Sequence, residues 1–80
     1  MSHYLLEHRH QPHECAAVFA SFKGHESPLR HQATVASCRS GGHAIWWNVE
    51  APSEEDALRL LPAYVAARTT VAPVTEVEIP

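Results

Sequence analysis

The chain has 80 residues, the size of one small domain, and its 45% apolar and 19% charged residues are typical of a globular protein. A net charge of −3 with only six lysines and arginines offers no basic stripe for phosphates, so we expect no nucleic-acid partner. No apolar run approaches the roughly 20 residues of a membrane helix, and the first residues lack the features of a signal peptide. We therefore expect a cytoplasmic protein with one domain over residues 1–80 and no membrane partner.

The first part of the chain predicts a strand, a helix and a loop. Alternating side chains indicate a strand over residues 3–10. Pro12 ends this strand and suits the start of a helix over residues 13–23, which Gly24 ends. The apolar stripe of that helix recurs at three- and four-residue spacing and consists of Cys15, Val18, Phe19 and Phe22.

The middle of the chain predicts a β-hairpin. A second strand fits residues 31–39 and a third fits residues 43–50, whose apolar face is formed by Ile45, Trp47 and Val49. Residues 40–42 read Ser-Gly-Gly, which favours a tight turn between the two strands.

The last part of the chain predicts a second helix and a fourth strand. Ser53 is a good N-cap, and the buried stripe of the helix consists of Leu58, Leu61 and Val65. Pro62 lies inside this helix and predicts a kink or a restart. Residues 69–73 are expected to connect to a strand over residues 74–79, with Val77 and Ile79 facing inward.

This order of elements, βαββαβ, predicts a ferredoxin-like α+β fold. Right-handed crossovers would give a four-stranded antiparallel sheet in the order 4-1-3-2, with two helices on one face. The open face would carry Leu5, Trp46 and Ala36, although the alternation also allows Leu5 to face inward in place of Tyr4 and Leu6. An exposed apolar patch of this kind predicts a homodimer formed through the open sheet face.

Three segments resemble a known group of proteins. They are His-Tyr-Leu-Leu-Glu-His-Arg from residue 3, Val-Glu-Ala-Pro-Ser-Glu-Glu-Asp-Ala-Leu from residue 49, and Val-Ala-Pro-Val-Thr-Glu-Val-Glu-Ile-Pro from residue 71. In these segments the chain resembles short bacterial members of the dimeric α+β-barrel superfamily. That superfamily includes nickel-binding proteins of unknown role, haem-degrading and cofactor-free monooxygenases, and chlorite-detoxifying enzymes. The resemblance implies a ferredoxin-like dimer and assigns no functional residue.

Seven histidines are an unusual number for this length, and a first candidate metal site consists of His3, Cys38 and His43. If strands one and three run parallel, His3 and His43 both lie at their starts, and Cys38 ends the strand beside them. Imidazole and thiolate suit zinc, copper or nickel. The alternative is that Cys38 is a small buried side chain and His43 a solvated turn residue.

A second candidate metal site lies at the opposite end of the predicted sheet and consists of His8, His10 and His13. His31 and Cys15 are expected nearby. A position close to a helix N-terminus could lower the pKa of the Cys15 thiol, but its place in the apolar stripe favours core packing.

The leading functional hypothesis is a small dimeric transition-metal-binding protein, acting as a sensor, chaperone or buffer for nickel, copper or zinc. The alternative from another class is a cofactor-free or haem-using monooxygenase or isomerase. It would use a pocket behind Trp46, with Glu7 or a histidine as the base. Simpler interpretations exist for both residues: Trp46 could anchor a dimer, and Glu7 could form an ion pair with Arg9. A non-catalytic accessory subunit is a third possibility.

Overall fold

The computed structural model describes residues 1–80 and has an α+β architecture. Its strands are Ser2–Arg9 (β1), Val35–Ala36 (β2), Ala44–Ala51 (β3) and Thr69–Pro73 (β4). Its α-helices are Cys15–Ala20 (α1), Glu54–Arg59 (α2) and Ala63–Ala66 (α3), and 3-10 turns cover Pro12–Glu14 and Cys38–Ser40.

The four strands form one antiparallel sheet in the order β2-β3-β1-β4, which is 4-1-3-2 counted from the other edge. β1 pairs antiparallel with β3, so that Ser2 lies opposite Ala51 and Arg9 lies opposite Ala44. The expectation that these two strands run parallel is therefore wrong. The crossover through α1 returns the chain to β2 in the direction of β1, and the hairpin then reverses it into β3.

The hydrophobic core lies on one face of the sheet. Tyr4 and Leu6 of β1 stand opposite Val49 and Trp47 of β3, which settles the inward face of the first strand. The helices cover the same face, since they contribute side chains to the same buried cluster. That cluster consists of Tyr4, Leu6, Val18, Ile45, Trp47, Val49, Ala51, Ala57, Leu61 and Val65.

The helices are shorter than the sequence predicts. The helix expected over residues 13–23 begins as a 3-10 turn and is α-helical only over six residues, and Phe19 is 54% exposed rather than buried. The restart at Pro62 is confirmed, because α2 ends before it and α3 follows it. Ser53 caps α2 as expected, accepting a hydrogen bond from the backbone N–H of Asp56 at 3.2 Å. No helix is both long and apolar enough to cross a membrane.

The fourth strand occupies residues that were expected to be a connector. β4 pairs with β1 from Thr69 opposite His8 to Pro73 opposite Tyr4. The N–H of Val74 still donates to the carbonyl of His3, and no residue after Val74 forms a backbone hydrogen bond with β1. The strand expected over residues 74–79 is therefore absent, and Val77 and Ile79 are exposed.

The second strand is only two residues long, where the sequence predicts nine. Val35 lies opposite Trp46 and Ala36 opposite Ile45, so Ala36 faces the helical side and Val35 the open side. The expected placement of Ala36 on the open face is therefore wrong. Residues 28–31 form turns, and His31 has a φ of 64°, a left-handed conformation that a strand cannot contain.

Candidate metal centre

Four side chains converge where β1 ends and β3 begins: His10, Cys15, Cys38 and His43, called here the metal cluster. Each offers one ligand atom, and these four atoms all lie within 4.8 Å of one another. Cys15 Sγ lies 3.2 Å from His10 Nε2 and 3.1 Å from His43 Nδ1, and Cys38 Sγ lies 3.7 Å from His10 Nε2. In a tetrahedron with metal–ligand bonds of about 2.0–2.3 Å, neighbouring ligands are about 3.3–3.8 Å apart. The cluster could therefore hold a metal ion after small adjustments of its side chains.

The tight loop between β2 and β3 positions two of the ligands, Cys38 and His43. Gly41 has a φ of 84°, in the left-handed region that glycine adopts without strain. A Cβ at Gly42 would overlap the side chain of Ser37. His43 itself has a φ of 50°, which costs a non-glycine residue of the order of 1 kcal/mol or more. This strained conformation places the His43 ring against Cys15.

The other two ligands come from the end of β1 and the start of α1. The N–H of His10 donates to the carbonyl of His43 at 3.1 Å, which extends the pairing of β1 and β3 by one residue. The chain then turns through Pro12–Glu14, so that Cys15 is the first residue of α1. Because the sheet direction and this turn are both needed, the four ligands meet only in the folded chain.

Glu14 fixes the turn before Cys15. One carboxylate oxygen accepts the backbone N–H of Gln11 at 2.9 Å, and the other accepts the Tyr64 hydroxyl at 2.7 Å and Arg68 Nε at 2.8 Å. The Gln11 hydrogen bond first, and then those from Tyr64 and Arg68, lower the pKa of Glu14 from 4.5 to about 2. The turn that carries Cys15 is thus tied to α3 and to the start of β4.

His8 lies beneath the metal cluster and is fully buried. Its Nδ1 lies 3.3 Å from the carbonyl oxygen of Val65 and 3.4 Å from the hydroxyl of Thr69, which itself donates to that carbonyl. Because a carbonyl only accepts, the hydrogen-bond network assigns the proton of neutral His8 to Nδ1. Its Nε2 then accepts from His10 Nδ1 at 2.9 Å, which leaves the Nε2 lone pair of His10 facing the cysteines.

The protonation states suit metal binding. Burial lowers the pKa of His8 and of His10, and for His10 the nearby His43 ring adds to the effect. The neutral imidazole that results is the form that binds a metal. Burial also raises the pKa of the Cys38 thiol, and the neighbouring Cys15 adds to this. A metal ion therefore has to displace the proton of Cys38 when it binds.

The observed cluster combines parts of both predicted sites. It takes Cys38 and His43 from the first and His10 from the second, and it adds Cys15, for which the sequence favoured a packing role. The direction of β1 is what brings these four residues together. Because β1 and β3 are antiparallel, the end of β1 lies beside the start of β3.

Two of the predicted ligands lie elsewhere. His3 is at the far end of β1, where its Nε2 lies 3.2 Å from a carboxylate oxygen of Glu50. His13 is exposed in the 3-10 turn, and neither residue belongs to the metal cluster. His8 also offers no ligand atom to the cluster, because its Nε2 is used by His10.

Glu7 and Trp46, the candidates for an enzymatic pocket, bond to each other on the open face of the sheet. The indole N–H of Trp46 donates to a Glu7 carboxylate oxygen at 3.0 Å, and Arg9 donates to the same oxygen at 3.4 Å. This carboxylate is thus held in an ion pair with Arg9, the simpler of the two interpretations drawn from the sequence.

The fold and the cluster define an α+β protein with two histidines and two cysteines placed to hold a metal ion. Comparison of the chain with protein-family models, with curated proteins and with solved structures finds no match. The resemblance to the dimeric α+β-barrel superfamily therefore has no support from these comparisons and stays a prediction.

Proposed function

We propose that this protein binds one transition-metal ion per chain at the metal cluster. The observation that carries the proposal is the convergence of two imidazole nitrogens and two sulfurs within 4.8 Å, from four separate parts of the chain. One imidazole of the group, that of His10, is buried, and the other three side chains are partly buried. An ion would also join the ends of β1 and β3, α1 and the hairpin loop, a useful staple for a chain of 80 residues.

Zinc is the ion that we expect first. Two thiolates and two imidazoles are a ligand set that tetrahedral zinc prefers, and copper or nickel are the other candidates for imidazole and thiolate ligands. Four protein ligands leave no open coordination position for a substrate, which favours binding over catalysis. Cys15, Cys38 and His43 are only partly buried, so the ion can exchange with solution. We therefore propose a role as a sensor, chaperone or buffer of metal ions.

The test is metal stoichiometry and affinity on untagged protein kept reduced. We expect about one zinc per chain by elemental analysis, and competition with a chromophoric chelator should show at least a tenfold loss of affinity for Cys15→Ser, Cys38→Ser and His43→Ala. The control variants are His3→Ala and His13→Ala, which remove histidines outside the metal cluster. The proposal is wrong if no zinc, copper or nickel is bound, or if the two controls lose as much affinity as the ligand variants.

We further propose a ferredoxin-like homodimer assembled through the open sheet face. The support is the partly exposed Leu5 and Trp46 and the 68% exposed Val35, which leave apolar surface on the open face of the sheet. Native mass spectrometry should give a dimer that Val35→Lys dissociates, with Val77→Lys, on an exposed residue outside the sheet, as the control. A monomeric wild-type protein would exclude this assembly without affecting the metal site.

A further inference from the structure

A cavity lies away from the metal cluster, between α1, the loop after it and the strands β2 and β3. It has a volume of about 490 Å³ and is called here the α1–β2 groove. Its floor includes Ile45, Trp47 and Phe22, and the Phe22 and Trp47 ring centroids are 6.1 Å apart. Phe19 stands at its edge and is 54% exposed. The volume is in the range of about 300–1,000 Å³ that is typical of small-molecule sites.

The charged side chains of this groove are both positive, those of Lys23 and Arg30. Lys23, Arg30 and His31 line it, and none of its lining residues is acidic. Lys23 and Arg30 form no ion pair, whereas Arg9, Arg59 and Arg68 each pair with a carboxylate. Arg39 is also unpaired but does not line the groove. Lys23 and Arg30 thus place two unpaired positive charges beside an open apolar cavity, in a chain with a net charge of −3. Their charges are complementary to an anion seated in the groove.

We propose that the α1–β2 groove binds a small amphipathic carboxylate, an aliphatic or aromatic acid. Its apolar part would lie against Phe22 and Trp47, and its carboxylate would receive charge-assisted hydrogen bonds from Arg30 and Lys23. No residue of the metal cluster lines the groove, so we expect carboxylate binding in the groove to be independent of metal binding.

Decanoate below its micellar concentration is the probe, and decanol is the uncharged control with the same carbon chain. Calorimetry should show saturable binding of decanoate, and a change in Trp47 fluorescence should report it in a Trp46→Phe background. We expect decanol to bind at least tenfold more weakly. The double variant Lys23→Gln with Arg30→Gln should lose about tenfold or more in affinity for decanoate but not for decanol. The exposed Arg59→Gln removes a positive charge on α2 and serves as the matched control.

Three outcomes would overturn the assignment. The first is that decanol binds as tightly as decanoate. The second is that Arg59→Gln loses as much affinity for decanoate as the double variant does. The third is that decanoate does not bind and the protein instead self-associates through the groove, an association that Phe19→Ser abolishes. Repeating the titration on Cys38→Ser separates this site from the metal site, because binding should be unchanged there even if metal binding is lost.

Discussion

His8 Nε2 lies 2.9 Å from His10 Nδ1, and the two imidazoles share the core-facing side of β1 with Tyr4 and Leu6. His8 is completely buried, so the second nitrogen of His10 is held by the protein interior and not by water. Metal-binding histidines are usually oriented in this way by a partner on the other ring nitrogen. His10 is therefore the ligand whose position depends most on the core.

Replacing His8 should weaken metal binding although it is not a ligand. We expect His8→Phe to lower zinc affinity by about 10–100-fold, because His10 loses the acceptor that fixes its tautomer and ring orientation. His8→Gln should restore part of the affinity, since an amide can donate to the Val65 carbonyl and accept from His10. Chelator competition measures the affinity, and circular dichroism checks the fold. Equal zinc affinity in His8→Phe and wild type would show that His8 is only a packing residue.

The two cysteines should form a disulfide when the metal is absent. Their sulfurs lie within 4.8 Å, so modest movement allows oxidation by diamide, which takes up two electrons and two protons as the S–S bond forms. We expect the metal-free protein to lose about 2 Da and its ability to take up zinc, and a zinc-loaded sample to react more slowly, because coordinated thiolates are protected. Mass spectrometry under non-reducing conditions measures both.

The control for this oxidation is Cys38→Ser, which cannot form the intramolecular bond. It should show no loss of 2 Da and no monomeric disulfide. If wild-type protein gives only disulfide-linked dimers, the two sulfurs do not meet within one chain and the geometry of the metal cluster is wrong.

The sequence predicts the local parts of the fold well. The antiparallel pairing of the second and third strands, the cap at Ser53 and the break at Pro62 all depend on residues close in the chain, and all are present. The expected tight Ser-Gly-Gly turn is instead a longer loop that includes the 3-10 turn Cys38–Ser40. The proximity of Cys38 and His43 is also a local feature that the sequence predicts, because a short loop brings its two ends together.

The parts that were missed depend on long-range register. His10 and Cys15 join the metal cluster only because β1 is antiparallel to β3, a relation that alternation within each strand does not contain. The alternation of Val77 and Ile79 looks like an inward strand face, yet the pairing of β4 with β1 stops at Pro73 and both side chains are exposed. The alternation of apolar and polar residues indicates which face of a strand is apolar, but the partner strand decides where the pairing stops.

Gly42 should be intolerant of even a small side chain. A Cβ there would overlap the side chain of Ser37, so the loop holding Cys38 and His43 would have to shift. We expect Gly42→Ala to destabilise the protein by about 1–3 kcal/mol, the usual cost of overpacking, and to weaken zinc binding by distorting the ligand positions. Denaturant unfolding and chelator competition measure the two effects.

The control is Gly24→Asn, a change at a glycine that has a positive φ and open space around it. Asparagine tolerates the left-handed conformation, so this variant should lose little stability and no zinc affinity. A Gly42→Ala protein with wild-type stability and affinity would mean that the loop adapts without moving Cys38 or His43.

Glu14 should make the stability of the metal-free protein depend on acid pH. Its pKa is lowered from 4.5 to about 2 in the folded chain, mainly by the hydrogen bond from the backbone of Gln11 and also by those from Tyr64 and Arg68. A carboxylate with a lowered folded-state pKa contributes its full stabilisation above its unfolded-state pKa. That contribution is lost as the pH falls from about 4.5 toward about 2.

We therefore expect Glu14→Gln to have a lower free energy of unfolding than wild type at pH 7, and the difference to shrink as the pH falls through this window. Urea denaturation in the presence of a chelator, repeated between pH 7 and pH 2.5, measures it without a contribution from bound metal. Glu26→Gln is the control, because Glu26 lies in an exposed loop, and it should leave the pH dependence unchanged. If the difference between Glu14→Gln and wild type stays constant across the window, the Glu14 carboxylate is not held in its charged form by Gln11, Tyr64 and Arg68. The turn before Cys15 would then be fixed by backbone geometry alone.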